Sequence, residues 1–169
     1  MENVAQPSVL GLLKLCVGAD TIGELAAWQA SVAAKRERAG LDPKPRHVTR
    51  QWPRRATEIL PADGPQGSLY WVIGGAIVVR QPIAAFEEAR GEDGIVRCAI
   101  VLEPALVRVA SRPRKAFQGW RYLDPADAPA DLGPWRPEGR AEDRGETRND
   151  LPHALEAALD ALGVRAGRS

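Results

Sequence analysis

Apolar residues fall into short continuous runs and one helical stripe. Residues 9–17 (VLGLLKLCV) are almost unbroken apolar sequence closed by Gly18, the pattern of a central strand covered on both faces. Helix signals follow. Thr21 with Glu24 three residues on fits a capping box, with Asp20 as a competing cap. Ile22, Leu25, Trp28, Gln29 and Val32 then recur at near-helical spacing, Lys35, Arg36 and Arg38 occupy the last turns, and Gly40 is the stop. Trp28 lies on the apolar stripe and reads as core.

After a Pro-rich connector at residues 42–45, residues 47–50 alternate like a strand, and Pro53 suits the first turn of a short helix through Leu60. Residues 61–67 read as a loop. Residues 68–80 (SLYWVIGGAIVVR) give the best local signal, two β-rich runs around Gly74-Gly75. Glycine tolerates the positive φ of a primed two-residue turn, so a hairpin is expected with Ile73 opposite Ala76 and Trp71 opposite Val78. Both faces of the hairpin are apolar, which predicts cover on both sides, as in a small closed barrel.

Pro82 is expected to end the second strand. A further strand runs through Phe86, turns at residues 91–94 (GEDG) and returns over residues 95–102, and residues 106–110 form a last short strand. Residues 124–150, rich in Pro, Gly, Ala and charge, read as an extended or partly disordered wrap with Leu132 and Trp135 as anchors. Pro152 opens a short amphipathic helix, residues 151–163, with Leu155 and Leu159 inward and Gly163 as its end. The expected organisation is one α+β domain over residues 9–123, a partly closed barrel of about five or six strands with two main helices, followed by the wrap and the terminal helix.

Charge changes this picture. The net charge is only +1. Residues 44–121 nevertheless carry 13 Lys/Arg against 7 Asp/Glu, and residues 122–150 carry 4 against 8. Two segments hold no acid at all: residues 46–55 (RHVTRQWPRR) and residues 112–121 (RPRKAFQGWR). Brought together, they would form a cationic surface with flat aromatic faces, suited to RNA, another nucleic acid or a nucleotide. Arg46, Arg50, Arg54, Arg55, Arg112, Arg114, Lys115 and Arg121 are the candidate phosphate contacts, since guanidinium forks match phosphate oxygens. Trp52 and Trp120 could stack a base, while His47, Thr49 and Gln118 could read its edge. For Arg54 and Arg55 an ordinary exposed helix face is the competing reading. For Trp120 it is core packing, which is also the preferred reading of Trp71.

Catalytic and metal patterns are missing. The chain has no phosphate loop, no GxGxxG, no GxSxG, no HExxH and no paired-Cys spacing. Its two cysteines, Cys16 and Cys98, read as small buried hydrophobes. No cofactor or metal is expected, nor any signal peptide or membrane span, so the expected location is the cytoplasm. Two other functions fit the same residues. One is a hydrolase of a nucleoside-like molecule using Thr49, His47 and Glu87 or Glu88. The other is a protein-interaction adaptor whose acidic wrap covers the basic face.

The strings LKLCVGADTIGELAAWQA, RHVTRQWPRR, SLYWVIGGAIVVRQPI, GEDGIVRCAIVLEPALV and RPRKAFQGWRYLDPADAPADL resemble an uncharacterised, mostly alphaproteobacterial family, domain of unknown function 1489, over residues 9–133. That resemblance implies no activity. The order of elements is more remotely similar to the PUA-like superfamily, especially its EVE and ASCH branches, in which a small mixed barrel offers a cleft to RNA or a modified base. Residues 46–55 stand where EVE-type domains carry an Arg-rich element, and the ASCH signature of Gly, Lys, Glu and Arg is absent.

Overall fold

The computed structural model describes residues 9–137 and places eight strands among them. The first apolar run becomes β1 (Gly11–Leu15), which sits inside the sheet, parallel to β3 (Ser68–Ile73) and antiparallel to β7 (Trp120–Leu123). Helix α1 (Ile22–Arg38) follows. The Thr21 Oγ1 accepts the Glu24 N–H at 3.0 Å, and the Glu24 carboxylate accepts the Asp20 N–H at 2.8 Å. The predicted capping box therefore closes on Asp20 instead of Thr21. Gly40 takes φ +76° just past the helix, and the Leu41 N–H reaches back to the Arg36 carbonyl at 2.8 Å.

Strand β2 (Arg46–Thr49) comes next, then α2 (Ala56–Ile59), a single turn shorter than the helix expected from Pro53. The hairpin of β3 and β4 (Ala76–Arg90) turns at Gly74 (φ +62°) and Gly75 (φ +83°), the two positive values a primed turn demands. Ile73 faces Ala76 as expected. Trp71, however, faces Val79 and not Val78, because a bulge between Trp71 and Val72 moves the register by one.

Pro82 does not end the second strand. β4 runs for 15 residues. Its first part pairs with β3 and with β6 (Val107–Pro113), and its second part with β5 (Val96–Leu102). Pro82 lies where one set of partners gives way to the other. Its missing N–H costs nothing there, and its carbonyl accepts the Glu103 N–H at 2.8 Å.

Two strands lie beyond the expected set. β7 begins at the end of the second basic segment and runs two residues past it, and β8 (Asp131–Pro134) pairs with β6 inside the stretch read as a wrap. A 3-10 turn, Pro125–Asp127, joins them. Trp135 packs against the core, as expected of an anchor, whereas Leu132 is 56% exposed and anchors nothing. The terminal helix expected over residues 151–163 and the rest of the wrap lie outside the described residues.

The strand order is β2-β5-β4-β3-β1-β7, with β6 and β8 branching from β4. The end strands β2 and β7 share no backbone ladder. The sheet is open, so the expected barrel of five or six strands is replaced by an open eight-stranded sheet in an α+β fold. Apolar cover on both faces does hold, and all six residues of β3 are buried. Leu12, Leu69 and Trp71 face the cluster that includes Ile22 and Leu25 of α1 and Ile59 of α2. Leu13, Tyr70 and Val72 face a second cluster completed by Ile77, Val109 and Leu123. Cys98 is fully buried and Cys16 half-buried.

Candidate functional site at the β2–β7 seam

The two acid-free segments meet where β2 and β7 approach. Trp120 Nε1–H donates to Thr49 Oγ1 at 3.2 Å. The Arg55 N–H donates to the Tyr122 hydroxyl at 3.1 Å, and the Arg55 guanidinium lies 5.2 Å from the Tyr122 ring centre. Trp120 and Tyr122, two residues apart on β7, share one face and touch edge to face at 5.0 Å.

The cations divide between the two faces of the sheet. Arg121 points opposite to Trp120, and its guanidinium stacks over Phe117 at 5.1 Å beside that of Arg114 at 5.3 Å. Phe117 packs on the second core cluster, whereas Trp120 packs on the first. Arg112 donates to the Asp127 carbonyl at 2.6 Å. Arg114 and Arg121 thus lie on the Phe117 side of β7, opposite the Trp120–Tyr122 face that Arg55 covers.

Several cations are already engaged. Arg46 pairs with Glu87 at 2.6 Å and Asp42 at 3.4 Å, and Arg55 grips Glu58 at 2.7 Å. Arg50, Arg54, Arg114, Lys115 and Arg121 are exposed and form no ion pair among the described residues. Trp52 is 44% exposed and tilts against Phe86 at 6.3 Å. Gln118 is exposed, and its carbonyl accepts from Arg121 at 2.8 Å.

His47 is drawn inward, edge-on to Trp71 at 5.8 Å. Burial, helped by the nearby Lys14 charge, pushes its pKa down to about 4, so the ring is neutral at physiological pH. No hydrogen bond joins Thr49, His47 and Glu87 or Glu88 among the described residues. The Thr49 hydroxyl accepts from Trp120, and Glu87 binds Arg46.

Lys14 is the residue that sequence reasoning passed over. On β1 it stands opposite Trp71 of β3 and Trp120 of β7, half-buried and with no ion pair among the described residues. Desolvation lowers its pKa. The available signal was a single lysine inside an otherwise apolar strand. A cavity of about 20 Å³, enough for one water molecule, is lined by Trp28, Gln29, Arg46, His47 and Trp71. Trp28 Nε1 and Arg46 Nε are both buried without a hydrogen-bond partner.

Among the described residues no three His, Cys, Asp or Glu side chains are placed to hold a metal, and no helix is long and apolar enough to cross a membrane. Fold and seam together define an open-sheet α+β protein with a polar and aromatic edge. The chain belongs to the DUF1489 family, proteins of unknown function, whose model matches residues 12–165. No curated protein and no solved structure matches it.

Proposed function

We propose that this protein binds single-stranded RNA, or a modified nucleotide within it, across the β2–β7 seam. The observation that carries this reading is the bond from Trp120 to Thr49, which brings the two acid-free segments into contact. Phosphates would be taken by Arg50 and Arg54 on one side and by Arg114, Lys115 and Arg121 on the other. Trp52, with its exposed ring, is the stacking surface for a base, and Lys14 supplies a cation at the inner edge of the seam. Arg46 and Arg55 serve mainly to hold the surface together, because each is paired with a carboxylate, as does Arg112 by reaching the distant Asp127 carbonyl.

The test is fluorescence anisotropy with a labelled mixed-sequence single-stranded RNA, read over a series of salt concentrations. Five phosphate contacts to a single strand predict affinity falling on the order of 100-fold between 50 and 200 mM salt. Arg54→Ala and Arg114→Ala should each flatten the salt slope by about 0.7, and Trp52→Ala should weaken binding by about 1–3 kcal/mol at every salt concentration. Absence of binding at low salt, or affinity indifferent to salt, would overturn the proposal.

A further inference from the structure

A second cavity lies away from the seam. It is a groove of about 630 Å³ between α1, the connector before β2 and the loop from β5 to β6. Its wall is strongly apolar: Ala26, Ala30 and Ala33 along α1 face Pro45, Leu106 and Trp135. Small side chains and prolines leave a smooth trough, the shape that accepts the ridge of another helix. Asp42, Lys44 and Glu103 are the charged residues on its rim.

The described chain ends at this groove. The Trp135 N–H is fixed to the Leu106 carbonyl at 2.9 Å, and Pro137 itself lines the cavity. The family match continues to residue 165, so the segment beyond belongs to the unit that defines the family. That segment places Leu151, Leu155, Leu159 and Leu162 at intervals of four, four and three residues, with Glu156 and Asp160 beside them. The spacing gives one apolar edge and an acidic flank on a helix. The 13 residues between Pro137 and Leu151 can span up to roughly 45 Å when extended, ample to return to the cavity from its own rim.

We infer that residues 151–162 dock their leucine edge into the α1 groove of their own chain. The occupant is intramolecular because the tether begins on the groove wall, which makes its effective concentration high. The inference does not depend on the RNA-binding reading.

Hydrogen exchange of the full-length protein, resolved by mass spectrometry, tests it. The amides of residues 151–162 should exchange at least tenfold more slowly than in the free peptide of the same sequence, at any protein concentration. Ala30→Arg, at an exposed position on α1, and the double substitution Leu155→Asp/Leu159→Asp should each abolish that slowing, with β3 and β4 amides unchanged. Free-peptide rates in the wild type would overturn the inference. So would protection that survives Ala30→Arg, which would place the segment elsewhere. Protection lost on dilution would overturn it too, by making a second copy the occupant.

Discussion

Gln29 of α1 and Gln81 of β4 exchange both amide hydrogen bonds, at 3.1 and 2.8 Å, in the interior of the protein. Gln81 is wholly inaccessible, and its side chain also accepts the Trp71 indole N–H at 3.1 Å and donates to the Glu103 carbonyl at 2.9 Å. One amide thus ties the long helix to β3, β4 and the end of β5. Gln81→Leu leaves three buried groups without partners and should lower stability by about 2–4 kcal/mol. Gln29→Leu should cost less, and the double substitution less than the sum of the two, since it removes both ends of one pair. Urea unfolding of the four proteins checks this, and strict additivity would refute it.

A second prediction concerns pH. His47 has a pKa near 4 in the folded chain, below its ordinary value of 6.5. The unfolded chain takes up a proton that the folded one refuses. Stability is therefore complete above about pH 6.5, falls as the pH drops towards 4, and levels off below it. The loss attributable to His47 is on the order of 3 kcal/mol. His47→Gln should flatten the profile over that window, as measured by urea midpoints from pH 7 to pH 4. An unchanged slope in the variant would show that other groups govern acid sensitivity.

The seam bond can be measured directly. Trp120→Phe keeps a ring but removes the donor, and Thr49→Val removes the acceptor. A double-mutant cycle should return a coupling of about 0.5–1.5 kcal/mol. A coupling indistinguishable from zero would mean that the two segments are neighbours without being linked energetically.

Asp131 on β8 clamps Arg80 of β4 through both carboxylate oxygens, at 2.8 and 2.7 Å, while Arg80 also donates to Ser68 Oγ at 2.7 Å. Both partners are mostly shielded from solvent. Asp131→Ala should cost about 2 kcal/mol, more than an exposed pair would, because it strands a half-buried guanidinium. Thermal unfolding is the readout, and a midpoint unmoved by the substitution would contradict it.

Gly67 offers a steric test. A Cβ there would lie 2.5 Å from the Leu10 carbonyl oxygen and 2.7 Å from that of Ile59. Neither backbone atom can swing aside like a flexible side chain. Gly67→Ala should therefore destabilise by about 1–3 kcal/mol, while Gly74→Ala, with open space around it but φ +62°, should cost about 1 kcal/mol. Similar fluorescence-monitored denaturation curves for Gly67→Ala and wild type would disprove the clash.

Local patterns were the legible part of this fold. The apolar run of β1, the cap at Thr21, the paired glycines of the hairpin and the GEDG turn each carry their own short-range chemistry. The register at Trp71 was not legible, because a bulge is settled by what packs on each face of the strand. Pro82 misled for a related reason. Its consequence depends on which partner strand faces its missing N–H, a fact of topology. β7 was hidden because basic residues and Gln118-Gly119 resemble a loop until Tyr122 and Leu123 find their faces. At the site, the acid-free character of the two basic segments was legible from composition, but their contact and the split of their cations were not. That split follows from the alternation of Trp120, Arg121 and Tyr122 along a strand the sequence did not announce.

The placement of β1 bears on how the chain is made. Its five residues leave the ribosome early, yet one edge must wait for β3 and the other for residues 120–123, which emerge some hundred residues later. Until then an apolar strand with open hydrogen-bonding edges is presented to the cell. Nascent chains halted short of Leu123 should therefore be the species that chaperones hold and proteases remove.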